Sequence, residues 1–125
     1  VMGLTDATPL ICAWANDSGY DCIFAEQLDS FLEPGDVVIA ISGSGNSPNI
    51  VHALKTAREM GLGTVGFGGR DGGKMKALCD HILIAPTDSM EMLEDLHLVY
   101  FHDLVCAMRP ALAQMAGVEA CSCTC

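Results

Sequence analysis

The sequence predicts an α/β fold in which a parallel sheet lies between layers of helices, and two patterns support this. Short apolar runs bounded by turn residues have the form of buried strands at residues 37–41, 64–67 and 81–85. Segments with apolar residues at helical spacing separate these runs. Because such alternation is typical of parallel strands joined by helices, we expect a doubly wound, three-layer αβα sandwich.

Two helices are expected before the first strand. The first is predicted over residues 9–15, with Thr8 as its N-cap and Pro9 at the first helical position, where a missing N–H costs nothing. The second ends at the turn formed by residues 33–36. Its apolar face is predicted from residues at helical spacing, namely Phe24, Leu28, Phe31 and Leu32.

Two further helices flank the later strands. One is expected to begin with Ser47 as cap and Pro48 as first helical residue, and to stop at Gly61. Its buried face is predicted to consist of Ile50, Val51, Leu54 and Ala57. The last helix is predicted over about residues 90–114, with a kink or break at Pro110. Its apolar positions are Leu93, Leu96, Val99, Tyr100, Leu104 and Met108.

Length and charge narrow the classes of function. The 125 residues suffice for one domain, expected at residues 1–118, with a cysteine-rich tail at 119–125. No run approaches the roughly 20 apolar residues of a membrane helix, so a membrane partner is not expected.

The net charge is −10, with 16 acidic and 6 basic residues, and all basic residues follow position 54. Nucleic-acid binding through a basic face is therefore not expected.

The spacing of the cysteines and the first residues of the sequence indicate the cellular compartment and the extent of the domain. The seven cysteines form no CxxC pair and no disulfide-like spacing, and no signal peptide is visible, which favours a reducing, cytoplasmic compartment. The closing CxCxC run offers thiols for metal capture, but we expect it to be a flexible terminus. Since the chain opens on Val1 and three strands make a thin sheet, we expect an N-terminally truncated piece of a longer domain.

The loop after the first strand has the composition of a phosphate cradle. Residues 42–47 combine two glycines, which let backbone N–H groups converge, with the hydroxyls of Ser42, Ser44 and Ser47. A helix begins directly afterwards, so the positive end of its dipole faces the loop. Ligands of open α/β sheets bind at the carboxyl ends of the strands, where this loop lies. The alternative is an ordinary strand-to-helix turn, which also favours glycine and serine.

Four stretches together resemble the sugar isomerase (SIS) domain family, and within it the phosphoheptose isomerases. The stretches occur in the order and near the spacing of that family, at residues 15–21, 41–47, 69–75 and 91–102. The resemblance implies a SIS-type fold, a phosphorylated heptose as ligand and assembly into homotetramers. It also implies aldose–ketose isomerisation of sedoheptulose 7-phosphate through an enediol in the complete protein.

The resemblance further implies roles for individual residues. Asn16 and Asp17 would contact the sugar. The phosphate would be held by Ser42, Gly43, Ser44 and Ser47. His102 matches a position that binds zinc and acts as an acid/base. Glu94 stands where the family usually has a glutamine that contacts substrate and metal; the added charge would either strengthen a zinc site or weaken binding of an anionic substrate.

Two considerations qualify the zinc site at Glu94 and His102. Glu94 and His102 are eight residues apart, which in a helix separates them by about 12 Å along the axis and roughly 80° around it. Spacing alone therefore favours Glu94 with His97 as a ligand pair, and it leaves His102 as a surface or capping histidine. The family also carries an upstream helix whose His and Glu supply the partner base and half of the zinc ligands. These 125 residues lack that helix, so we expect the isolated chain to be inactive. The alternative function is a non-catalytic module that binds a phosphosugar or a protein.

Overall fold

The computed structural model describes residues 1–117. In chain order the elements are α1 (Thr8–Asp17), α2 (Ala25–Phe31), β1 (Val37–Ser42), α3 (Pro48–Glu59), β2 (Gly63–Gly69), a 3₁₀ helix (Gly73–Ala77), β3 (His81–Ala85) and α4 (Met90–Ala116). The expected boundary at residue 118 and the cysteine-rich tail at 119–125 lie outside the described residues.

The three strands form one parallel sheet in the order β1-β2-β3. Ile41 of β1 is in register with Phe67 of β2, and Phe67 with Leu83 of β3. Because all strands run in the same direction, their carboxyl ends share one edge of the sheet. The three predicted strands and the αβα arrangement are therefore confirmed.

Helices α2 and α3 pack on one face of the sheet. Leu28 of α2 and Ala53 of α3 share a buried cluster with Val38 of β1. Farther along, Leu54 of α3 packs against Ala40 of β1. This face holds most of the core, and it fixes the position of α3 beneath the carboxyl end of β1.

Helix α4 covers part of the opposite face. Phe67 is fully buried and stacks on Phe101 of α4, with ring centroids 4.4 Å apart. The side chains of β1 on this face are largely uncovered; Val37 is 59%, Ile39 42% and Ile41 50% exposed. Helix α4 therefore packs over the centre of the sheet and leaves the apolar side chains of β1 exposed as a strip.

The ends of two helices differ from the prediction. α1 begins at Thr8, with Ala7 rather than Thr8 in the N-cap position and without a side-chain cap, and it extends to Asp17. Phe31 of α2 is 49% exposed rather than buried, because it lies in the last turn, just before the chain leaves the helix.

Helix α4 differs most from the prediction. It continues through Pro110 without a break, and among its residues only Leu93 and His97 are buried. The reason is length: 27 residues give a helix of about 40 Å, whereas the seven residues of β2 span about 23 Å. The second half of α4 therefore extends beyond the sheet, which leaves Met108 exposed. Val99 lies in the first half and is exposed because it points away from the side of the helix on which His97 and Phe101 contact the sheet. No helix within residues 1–117 is long and apolar enough to cross a membrane.

Candidate functional site

A cleft lies at the edge of the sheet where the strands end. Its volume is about 590 Å³. The residues that line it follow each strand within a few positions: Ser44 and Asn46 after β1, Arg70 and Asp71 after β2, and Pro86, Thr87 and Asp88 after β3. This is the position at which ligands bind in open parallel sheets, and the three strand ends fix the cleft on a rigid frame.

The loop between β1 and α3 is a tight turn closed by hydroxyl groups. The N–H of Gly45 donates to the carbonyl of Ser42 over 3.0 Å, and the Ser42 and Ser47 hydroxyls are 3.2 Å apart. Ser42 is buried, and the Ser47 side chain makes no capping hydrogen bond to α3. The Ser42–Ser47 pair therefore closes the base of the loop, and the first N–H groups of α3 are not occupied by this cap.

A second glycine-rich segment holds this loop in place. The carbonyl of Gly45 accepts a hydrogen bond from the N–H of Met75 over 2.9 Å, and the side-chain oxygen of Asn46 accepts one from the N–H of Lys74 over 3.2 Å. Gly45 has a φ of +64°, and a Cβ built on it would overlap the carbonyl of Gly72. Only glycine fits there, since both the backbone angle and the close approach exclude a side chain.

Arg70 is the one cation among the residues that line the described cleft, and sequence reasoning gave it no role. It directly follows the last residue of β2 and has a φ of +55°, in the left-handed region. A non-glycine residue there costs about 1 kcal/mol or more, so the backbone holds Arg70 in a costly conformation beside the loop. The signal in the sequence was a basic residue at a predicted strand end in a chain with six basic residues.

The structure unites some of the predicted site residues and separates others. Ser42, Gly43, Ser44 and Ser47 belong to the same loop, and Ser44 lines the cleft with Arg70. Ser47 lines a second cavity, of about 750 Å³, that runs along β1. Asn16 and Asp17 lie exposed in the last turn of α1 and do not line the cleft.

The residues predicted on α4 also do not line the cleft. Glu94 and His102 are both exposed and are not among the residues that line it. The pairing of Glu94 with His97, which spacing alone favoured, is wrong. His97 is buried, and its Nε2 lies 3.0 Å from the carbonyl oxygen of Gly68 in β2. Its role is to attach α4 to the sheet.

Metal-binding geometry occurs elsewhere in the described part of the chain. Within residues 1–117, Asp21, Cys22 and His52 bring three donor atoms to within 4.8 Å of one another. Neither Glu94 nor His102 belongs to a group of three such donors in that range. Sequence reasoning missed this group because His52 is 30 residues from Cys22 along the chain, and only the packing of α3 brings them together.

Comparison with known families and relatives gives a consistent result. A family model described as the SIS domain matches residues 1–69. A phosphoheptose isomerase of Aliarcobacter butzleri is 42% identical over 103 residues, covering 82% of this chain and 54% of the relative. One of Paramagnetospirillum magneticum is 45% identical over 103 residues, with the same coverages. The chain thus spans a little over half the length of these relatives.

Solved structures agree with the sequence comparison. The phosphoheptose isomerase GmhA from Neisseria gonorrhoeae superimposes with a TM-score of 0.80 at 34% identity, covering 82% of this chain and 58% of that one. A phosphoheptose isomerase from Francisella tularensis also gives a TM-score of 0.80, at 27% identity, with 82% and 56% covered.

Proposed function

Because the chain belongs to the SIS domain family, we propose that it forms the phosphosugar-binding part of a phosphoheptose isomerase. The observation that carries the proposal is the cleft at the strand ends, which combines Ser44 of the β1–α3 loop with Arg70. The relatives and structures named above support a sedoheptulose 7-phosphate ligand, since each is a phosphoheptose isomerase.

The chemistry of the cleft suits a sugar phosphate. A phosphate group needs several donors, and the loop offers backbone N–H groups and the Ser44 hydroxyl, while Arg70 offers a guanidinium. The chain as a whole carries a net charge of −10, and Asp71 and Asp88 also line the cleft. Long-range steering therefore opposes an anion, and affinity must come from these short-range donors. We propose the phosphate contacts for Ser42, Gly43, Ser44 and Ser47.

We propose that the reaction is isomerisation through an enediol. A base removes a proton from C1 of the ketose while the C2 carbonyl oxygen gains one, which gives the enediol. A proton is then returned to C2 as the C1 hydroxyl loses its own, and the aldose carbonyl forms at C1. His102 is proposed as one acid/base group, because imidazole is the side chain that most often transfers protons in catalysis. Asn16, Asp17 and Glu94 are proposed as sugar contacts.

Zinc is the metal that the family resemblance implies, with Glu94 and His102 as its ligands. These two exposed residues are fewer than the three or four protein ligands that zinc takes. Among the described residues, no third donor joins them. The residues described therefore do not fit a zinc site at this position, and we route no step of the reaction through a metal there.

Assembly and location are also proposed. The exposed apolar strip on β1, at Val37, Ile39 and Ile41, supports burial against further protein, in keeping with a homotetramer. Cys12, Cys22, Cys79 and Cys106 are free thiols, which supports a reducing compartment such as the cytoplasm.

A binding module without catalysis is the second candidate. The specific observation in its favour is that the cleft is lined without His102 and Glu94. A regulatory domain needs the phosphate loop and Arg70 but has no use for an acid/base group. Both candidates predict phosphosugar binding, so proton transfer is the property that separates them.

Hydrogen exchange at carbon provides that test, because it needs only one base and does not require the complete isomerisation that the isolated chain is expected to lack. The chain is incubated with sedoheptulose 7-phosphate in D₂O, and deuterium at C1 is followed by NMR, beside the His102→Ala variant and a His81→Ala control. Exchange that needs His102 but not the exposed His81 supports the isomerase. Binding without exchange supports the binding module, and absence of binding contradicts both.

A further inference from the structure

The group formed by Asp21, Cys22 and His52 lies outside the cleft and has no part in the proposed reaction. Asp21 and Cys22 belong to the segment between α1 and α2, and His52 lies in the second turn of α3. We propose that these three side chains bind a Zn²⁺ ion that joins this segment to α3.

The distances are close to those of a metal site. Ligands at about 2.0–2.3 Å in a tetrahedral arrangement are about 3.5 Å from one another. The Cys22 sulfur lies 3.9 Å from Oδ1 of Asp21, and all three donor atoms lie within 4.8 Å of one another. The separations exceed the tetrahedral value by at most about 1.3 Å, so small side-chain movements would complete the geometry. Asp21 is exposed and the other two are half-buried, so an ion has access from solvent.

The backbone already orients two of these side chains. Nδ1 of His52 lies 3.2 Å from the carbonyl oxygen of Asp21. This contact with a backbone carbonyl restricts the orientation of the ring, as the outer hydrogen bonds of ligating histidines usually do. The Cys22 thiol lies 3.5 Å from the carbonyl oxygen of Ser18. Two of the three donors are therefore partly positioned before any ion arrives.

The set of donor atoms selects the metal. One sulfur, one nitrogen and one carboxylate oxygen suit Zn²⁺, whereas Mg²⁺ and Ca²⁺ require mostly oxygen ligands. Binding releases the thiol proton of Cys22 to solvent, and the thiolate and carboxylate together neutralise the charge of the ion. Water would complete the fourth position.

Such an ion would hold two segments of the chain together beside the cleft. It would fix the segment that follows Asn16 and Asp17 to α3, the helix that begins directly after the phosphate loop. Because the unfolded chain does not bring residues 21 and 52 together, Zn²⁺ binds the folded state preferentially and stabilises it.

Metal titration of the chain tests the proposal. The background is a variant in which Cys121, Cys123 and Cys125 are serine, so that the closing CxCxC run does not compete. Zn²⁺ binding is measured by calorimetry, and Co²⁺ binding by the charge-transfer absorption of a thiolate–cobalt bond. Cys22→Ser and His52→Ala are compared with Cys12→Ser and His102→Ala, which change one cysteine and one histidine outside the group.

The proposal predicts one Zn²⁺ per chain, with affinity at least tenfold weaker in Cys22→Ser and His52→Ala and unchanged in the two controls. Binding that survives both substitutions, that depends on His102 instead, or that is absent would overturn it. A second measurement needs no substitution in the group: Zn²⁺ should slow alkylation of Cys22, located by mass spectrometry, without slowing that of exposed Cys12. Equal alkylation of Cys22 with and without Zn²⁺ contradicts the proposal even if the variants fail to fold.

Discussion

Gly45→Ala tests the packing that shapes the phosphate loop. Gly45 has a φ of +64°, and its Cβ position falls on the carbonyl of Gly72. The left-handed backbone costs an L-residue about 1–2 kcal/mol, and forcing apart two packed backbone segments costs about 1–3 kcal/mol more. The variant should therefore lose about 2–5 kcal/mol of unfolding free energy, and its altered loop should also bind sugar phosphate more weakly.

Gly61→Ala is the matched control. Gly61 has a φ of +73°, but nothing lies within 4 Å of its Cβ position. Only the backbone cost applies, so its loss should be about 1–2 kcal/mol, with phosphate affinity unchanged. Urea unfolding curves of both variants and the parent chain give the two losses. Equal losses would refute the argument that contact with Gly72, rather than backbone angle alone, requires glycine in the loop.

Three further predictions follow from packing, strain and charge. Phe67→Ala should cost about 3–5 kcal/mol in urea unfolding, as for other buried aromatic residues, whereas Phe31→Ala, at a half-exposed position, should cost far less; similar losses would contradict the core assignment. Arg70→Gly should relieve left-handed strain and raise stability by about 1 kcal/mol, yet weaken phosphate binding; unchanged affinity would exclude Arg70 from the site. Hydrogen bonds from the backbone N–H and the hydroxyl of Thr64 lower the pKa of Asp80. The stabilisation that these hydrogen bonds give the folded chain is present at pH values above the ordinary aspartate pKa, and it is lost as the pH falls through the lowered pKa of Asp80. Asp80→Asn should therefore reduce stability at pH 7 and lose its effect in acid; a difference that persists in acid would contradict the assignment.

The sheet was predictable because local sequence determines it. The strand cores were bounded by turn residues such as Gly61, so the strands and their parallel arrangement followed from the apolar pattern. The buried face of α4 was not predictable, because it depends on how far the sheet extends beneath the helix and on which side of the helix meets the sheet. Periodicity therefore assigned Val99 and Met108 to the core, and it gave no sign that His97 is buried against Gly68.

The candidate site was likewise predictable only in part. The Ser42–Ser47 loop was visible because a strand, a glycine turn and a helix are consecutive in the sequence. The position of Arg70 in the cleft and the grouping of Asp21, Cys22 and His52 did not follow from the sequence, since tertiary packing brings these residues to their partners. The roles of Asn16, Asp17, Glu94 and His102 stay predictions; all four side chains are exposed, and none of them lines the cleft.

Calorimetry of phosphosugar binding tests the central claim most directly. Sedoheptulose 7-phosphate and unphosphorylated sedoheptulose are titrated into the chain and into Ser44→Ala, with the exposed Ser30→Ala as control. A hydrogen bond to a charged group contributes about 1.5–3 kcal/mol, so the affinity of Ser44→Ala should fall by roughly 10- to 150-fold. The account predicts that only the phosphorylated sugar binds, and that only Ser44→Ala weakens it. Equal binding of both sugars, or an affinity that Ser44→Ala leaves unchanged, would contradict it.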